Sequence, residues 1–239
     1  MITERRSKRT RIDRFISAHL EINRRDVKLM LAQKRIAING IAINDSQQVI
    51  DEFSHVTLDG QVLQANKPKY LMMNKPAGVV SATKDEQHRT VIDLLDKATG
   101  SDLHIVGRLD LNSSGLLLLT NDSRWSRKIM APENKVEKRY RVTLEKPLSD
   151  AYISAFYEGM YFAYEDITTK PAKLEIVSDY VADVSLTEGR YHQIKRMFGR
   201  FRNPVLALHR LSIGPLLLDP RLAVGESREL QSEEVSLVG

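Results

Sequence analysis

"HIVGRLDLNSSGLLLLTND", residues 104–122, sets two apolar runs on either side of a glycine-opened turn that carries Arg108 and Asp110. The runs read as strands, "LHIV" leading in and "GLLLLT" leading out, because short apolar stretches bounded by Gly, Asn and Asp are strand signals. Residues 107–114 are then a loop at the sheet's edge with Asp110 near its apex. Charge placed there is either paired or employed, and loops held by a rigid scaffold are where catalytic groups concentrate. Taken alone, "GRLD" more commonly marks a surface turn whose Arg and Asp bond local backbone.

Outward from this stretch, strand signals recur in "YLMMN" (70–74), "YRVTL" (140–144), "AKLEIV" (172–177), "ADVSLT" (182–187) and "PVLALHR" (204–210). Helical periodicity lies between them in "TVIDLLDKA" (90–98), "SRWSRKIM" (123–130), "SDAYISAFYEGM" (149–160) and "YHQIKRMFGRF" (191–201). Strands and helices that do not alternate regularly predict an α+β body with a largely antiparallel sheet flanked by helices.

The amino-terminal part reads differently. Ile12, Phe15, Ile16 and Leu20 fall at helical spacing, and Val27, Met30 and Leu31 repeat the signal, with Asn23 as N-cap and Asp26 at the third helical position. Asn39-Gly40 between two Ile-Ala-Ile triplets, and Asp59-Gly60 in "VTLDGQVL", are tight-hairpin signals. The order helix, helix, hairpins resembles the S4 RNA-binding domain. The expected division is a basic tail over 1–8, the S4-like domain over 9–63, a linker over 64–68 and the α+β body over 69–239.

Composition narrows the function. The 239 residues include no cysteine, which excludes disulfides, thiolate metal sites and cysteine nucleophiles and suits a reducing compartment such as the cytoplasm. The basic start has no apolar core behind it, and the leucine runs are far too short to span a bilayer, so neither secretion nor membrane insertion is expected. Net charge is +5, and residues 1–45 hold 11 Lys/Arg against 5 Asp/Glu, so the excess is confined to one end. That pattern fits either a polyanion-binding module or a solvated tail. Arg24, Arg25 and Lys28 lie outside the apolar stripe of the second helix, with Lys34 and Arg35 just beyond it, so one basic surface is available to phosphates.

Two further stretches carry chemistry. "TEGRYHQIKRMFGRFR" holds five cations from Arg190 to Arg202 with no acid between them, a density that favours anionic ligands. On a helix starting near Tyr191, Ile194, Met197, Phe198 and Phe201 form an apolar stripe, Lys195 lies on its flank and Arg196 nearly opposite, facing solvent. In "EKRYRVTL", alternation puts Tyr140, Val142 and Leu144 on the apolar face and Arg139, Arg141 and Thr143 on the other. His192 and His209 stand isolated, and a lone histidine is more often a structural donor than a ligand.

"NKPAG", "GRLDLNSSGLLLLTND", "EKRYRVTL" and "EGRYHQIKRMF", in that order behind an S4-like unit, resemble the RsuA/RluB/RluE/RluF group of pseudouridine synthases. The likeness covers nearly the whole chain. "KPAKLEIV" and the "YHQIKRMF" form of the last motif most resemble the RsuA branch, which acts on one uridine of small-subunit 16S ribosomal RNA. The resemblance implies a pseudouridine synthase domain in which Asp110 is the essential carboxylate, Tyr140 lies against the target base and assists proton transfer, and Lys195 is the cation beside Asp110. It also implies that Arg108 helps hold the RNA around the flipped nucleotide and that Lys75 and Pro76 shape the site. Arg190 and Arg196 are taken as further RNA contacts.

Where relatives commonly have an acidic residue and threonine after the aspartate, this chain has Asn112, Ser113 and Ser114, and Ser123 stands where glycine is usual. The chemistry implied moves the uracil from N1 to C5 on the same ribose, without redox change, so neither cofactor nor metal is expected. A carboxylate can serve at the sugar only if ionised while walled off from water. Burial alone opposes that, and a contacting cation restores it. The partner expected is ribosomal RNA, bound by a monomer. The rival readings are a 23S-type synthase of the same group, a non-enzymatic RNA-binding or assembly protein, and a metal-dependent nuclease.

Overall fold

The computed structural model describes residues 9–100 and 102–238. The basic tail over 1–8 lies outside them. Contacts divide the chain into two compact units, 1–68 and 69–239.

In the first unit, helices Ile12–Leu20 and Arg24–Ala32 pack Ile12, Ile16, Val27 and Leu31 against Ile36, Ile38 and Val56 of the strands. The Asn23 side chain accepts from the Arg25 and Asp26 amides, as an N-cap does. Strands Ile36–Ile38 and Ile41–Ala42, and Val56–Leu58 and Gln61–Gln64, close hairpins through Asn39-Gly40 and Asp59-Gly60. At both turns φ is +50° and then +81°, the paired positive values a type I′ hairpin requires.

The second unit is built on one sheet in the order Lys173–Ser178, Val181–Leu186, Lys138–Leu144, Val205–Ile213, Ser113–Thr120, Tyr70–Lys75, Ser227–Glu229. All neighbours in this order are antiparallel except Val205–Ile213 and Ser113–Thr120, which run parallel at the centre. Ser113–Thr120 is therefore interior, and the loop before it opens at the middle of the sheet rather than at its edge. The apolar run 116–119 explains this placement. Leu117 and Leu119 enter the core on one face, and Leu116 and Leu118 enter a second core on the other. A strand buried on both faces reads as a continuous apolar run.

The parallel pair approaches so closely that a Cβ on Gly115, at φ +101°, would lie 2.6 Å from the Arg210 backbone nitrogen. Only glycine fits there. Helix Ser123–Met130 has the predicted bounds and is capped by Asp122, which accepts from the Arg124 and Trp125 amides. The stretch 90–98, expected to be helical, is instead a 3₁₀ turn over Ile92–Leu94 followed by the short helix Lys97–Gly100. Among the described residues no helix is long and apolar enough to cross a membrane.

Candidate active site

The loop between His104–Val106 and Ser113–Thr120 is fixed from below by buried polar groups. The Lys75 ammonium, with no exposed surface, donates to the carbonyls of Pro76 (2.9 Å), Asp110 (3.2 Å), Leu111 (3.4 Å) and Ser113 (2.7 Å). Burial pushes its pKa down to about 8; the Asp110 charge acts in the opposite sense, and Arg210 adds to the lowering. Ser81 grips the same loop: its hydroxyl donates to the Leu109 carbonyl at 2.8 Å and accepts from the Leu109 amide at 3.1 Å. Buried Arg210 donates to the carbonyls of Leu116 (2.7 Å) and Gly107 (2.6 Å). The loop backbone is thus set before any ligand arrives.

Helix Gln193–Gly199 brings the second wall. Its buried Ile194, Met197 and Phe198 anchor it, Phe198 lying 4.8 Å from the Phe156 ring, and Lys195 is left on the flank. Lys195 Nζ donates to Asp110 Oδ2 at 3.2 Å. His192 Nε2 lies 3.4 Å from the same oxygen. Strand Lys138–Leu144 supplies the third wall, with Tyr140 buried and Arg139 and Arg141 on the opposite face, as the alternation predicts. These two arginines bind buried Asp183 at 2.7 and 2.9 Å. Burial works against the Asp183 charge, yet Arg141 and Arg139 hold its pKa below the ordinary carboxylate value.

The pairing of this strand with Val205–Ile213 shifts register between Arg139 and Tyr140, so that Leu211 is the extra residue of a bulge. Bulges re-aim side chains beside functional sites. Here the bulge faces Arg210 with Tyr140, and the guanidinium donates to the Tyr140 hydroxyl at 3.5 Å.

Between the three walls lies a cavity of about 100 Å³. Tyr140, Leu186, Ile194 and Leu208 give it an apolar side, and Asp110, Lys195, His192, Arg190 and exposed Arg108 a charged one. A carboxylate in contact with an ammonium, beside an aromatic ring and apolar side chains, can attack or deprotonate a sugar whose planar base lies against the apolar wall.

Several expectations need correction. The helix begins at Gln193, with His192 as its cap, rather than near Tyr191. Arg196 does not project freely into solvent: it binds Glu165 at 2.5 Å and lies over the Phe162 ring, 3.8 Å from its centroid. Phe162 and Glu165 both belong to the 161–168 hairpin, which thus holds the guanidinium. Asp110 is not walled off from water either, its side chain being 34% exposed, because the loop apex stands at the cavity mouth. His192, set aside as an isolated histidine, touches the central carboxylate.

In the first unit, Arg25, Lys28 and Lys34 are exposed, Arg24 pairs with buried Asp13 (3.1 Å) and Arg35 with Asp59 (2.6 Å). Among the described residues no group of three or more His, Asp or Glu is disposed to hold a metal ion.

The model of the RNA pseudouridylate synthase family matches residues 69–199, the stretch that supplies Asp110, Tyr140 and Lys195, and the chain belongs to that family. Its likeness is to the RsuA type. It is 46% identical to ribosomal small subunit pseudouridine synthase A of Pseudomonas aeruginosa, covering 95% of this chain and 100% of the relative. With the protein of the same name from Escherichia coli K12 the identity is 39%, covering 95% and 99%. A crystal structure of a pseudouridylate synthase superposes with a TM-score of 0.71 at 36% identity, covering 96% of this chain and 99% of that one.

Proposed function

We propose that this chain isomerises one uridine of small-subunit 16S ribosomal RNA to pseudouridine, using Asp110 at the ribose. The observation that carries the reading is the 3.2 Å contact of Asp110 with Lys195 at a cavity walled by Tyr140. The names and near-full-length coverage of the relatives support the substrate class. C1′ and C5 are hidden in stacked RNA, so the nucleotide is extruded into the cavity at a cost of a few kcal/mol, offset by backbone contacts and stacking. The incoming RNA then covers the exposed part of Asp110, and Lys195 keeps the carboxylate ionised as water leaves.

In this reading Tyr140 lies against the uracil and helps remove the C5 proton. Arg108 and Arg190 hold phosphates or fill the gap left in the RNA, and Lys75 and Pro76 set the loop. Arg196 serves the RNA only indirectly, through the turn it braces. The amino-terminal unit acts as an S4-like module, with Arg25, Lys28 and Lys34 as its freest cations and Arg24 and Arg35 beside them. Action as a monomer in the cytoplasm, without a cofactor, belongs to the same proposal.

Treating unmodified ribosomal RNA with the protein and mapping pseudouridine at nucleotide resolution tests this reading. A single new site in 16S RNA is expected. A site in 23S RNA instead would move the chain to the sibling activity, and no new site in either would favour an assembly role. Tyr140→Phe should bind the RNA as wild type does while slowing turnover about 10²-fold, the low end for a lost general acid or base. Equal losses of binding and rate would contradict the role given to its hydroxyl.

A further inference from the structure

Tyr191 is 76% exposed although it sits between two cavity-lining residues, Arg190 and His192. Its ring is not loose. It stacks on the His192 imidazole with centroids 3.9 Å apart and planes at 20°. His192 holds this position at φ +48°, ψ +31°, a left-handed conformation uncommon for residues other than glycine. The Tyr191 carbonyl accepts from Arg196 at 3.4 Å, and Arg196 is itself fixed by Glu165 and Phe162. One face of the tyrosine is therefore backed by an imidazole, its backbone is braced, and its other face opens to solvent beside the mouth of the cavity.

An aromatic ring held rigidly, with one free face, next to arginines and a cavity for an everted nucleotide, has the attributes of a base-stacking platform. Single-stranded RNA is gripped by such rings together with cations on its backbone, and every base offers a π-face. We propose that Tyr191 forms a nucleotide subsite, stacking an unpaired base adjacent to the target uridine, with His192 as its backing. The inference rests on the functional reading above and adds to it a second RNA base contact outside the reacting cavity. Because His192 also reaches Asp110 at 3.4 Å, the subsite is joined directly to the reacting carboxylate. Exposed Tyr157, on helix Asp150–Glu158, stacks on no other ring among the described residues and does not line the cavity. It provides the control.

The test is a pair of double-mutant cycles on an RNA hairpin carrying the mapped target uridine. Wild type and Tyr191→Ala are each measured on the intact hairpin and on hairpins with an abasic nucleotide immediately 5′ or 3′ of the target. Affinity is read by fluorescence anisotropy and conversion by pseudouridine yield. Tyr191→Ala should weaken binding to the intact hairpin about tenfold, within the range measured for lost base–aromatic stacking. One abasic position should weaken wild type equally, and the two changes together should add nothing further. Tyr191→Phe, which keeps the ring, should restore affinity, and Tyr157→Ala should bind as wild type does. Fully additive losses at both flanking positions, or an unchanged affinity in Tyr191→Ala, would overturn the subsite. Wild type that binds the hairpin without forming pseudouridine would instead sink the functional reading, while the binding cycle still decides the subsite.

Discussion

Lys195→Met should lower the rate of pseudouridine formation about 10²- to 10³-fold, the loss typical when a single preorganised electrostatic partner is removed from a reacting group. Methionine keeps the length and apolar stem of lysine, so helix Gln193–Gly199 stays anchored by Ile194, Met197 and Phe198. What disappears is the charge 3.2 Å from Asp110 Oδ2. At that separation two unit charges attract by about 5 kcal/mol at an effective dielectric of ~20, an upper figure because both side chains are about a third exposed. RNA affinity should change far less than the rate, since the proposed RNA contacts at Arg108, Arg190 and the amino-terminal cations remain. Lys195→Arg, which retains the charge, should recover part of the activity. Single-turnover kinetics at saturating enzyme separate rate from binding, and a Lys195→Met rate close to wild type would remove this role.

Lys75→Met should destabilise the fold by about 2–4 kcal/mol and slow the reaction even where the variant is folded. The Asp110 and Leu111 carbonyls have second donors, the amides of Ser113 and Gly78. The Pro76 and Ser113 carbonyls receive the two shortest bonds from the lysine, and each such bond lost from a buried polar group costs about 1–3 kcal/mol. The loop that aims Asp110 then loses its support from below, and a shift of about 1 Å at a reacting group can cost 10²-fold.

The pH dependence of stability carries a signature of the same side chain. In the unfolded chain this lysine keeps its proton to about 10.5, whereas in the fold it loses it near 8. Between those values the unfolded state binds more protons, so the stability of wild type should rise with pH across that window through this group. Denaturant titrations at pH 7.5 and 10 should show this contribution in wild type and not in Lys75→Met. An identical pH dependence in the two proteins would contradict the burial of a titrating amine.

How much of this was legible in the chain depends on the range of the interaction concerned. Asn39-Gly40 and Asp59-Gly60 announce their hairpins because the turn is a local matter of positive φ, and Asn23 announces a helix start because its cap bonds lie two and three residues away. Alternation placed Tyr140 on the correct face for a similar reason. It says nothing about which strand lies beside it, so the central parallel pair, the bulge at Leu211 and the reach of Arg210 to Gly107 were not readable from one strand at a time.

The "LLLL" run suggested a strand, but only the presence of cores on both faces reveals that it is interior. His192 was missed because its partner, Asp110, is 82 positions away in sequence and the contact depends on the left-handed turn that begins the helix. Its one local signal was its position two residues from a cation and next to an arginine-flanked tyrosine. Buried Lys75 was recognised through a motif rather than by physics, since "NKP" gives no hint of four carbonyls collected around its ammonium.

Asp110→Asn tests, with the least disturbance, whether the Asp110 carboxylate performs chemistry on the RNA. Asparagine occupies nearly the same volume and leaves the loop's backbone contacts to Lys75 and Ser81 in place. Under single-turnover conditions on unmodified 16S RNA, the variant should bind the RNA with affinity close to wild type. Its pseudouridine yield should fall by at least about 10⁴-fold, as when an essential reacting group is removed. Pseudouridine formed by Asp110→Asn within tenfold of the wild-type rate would contradict the claim.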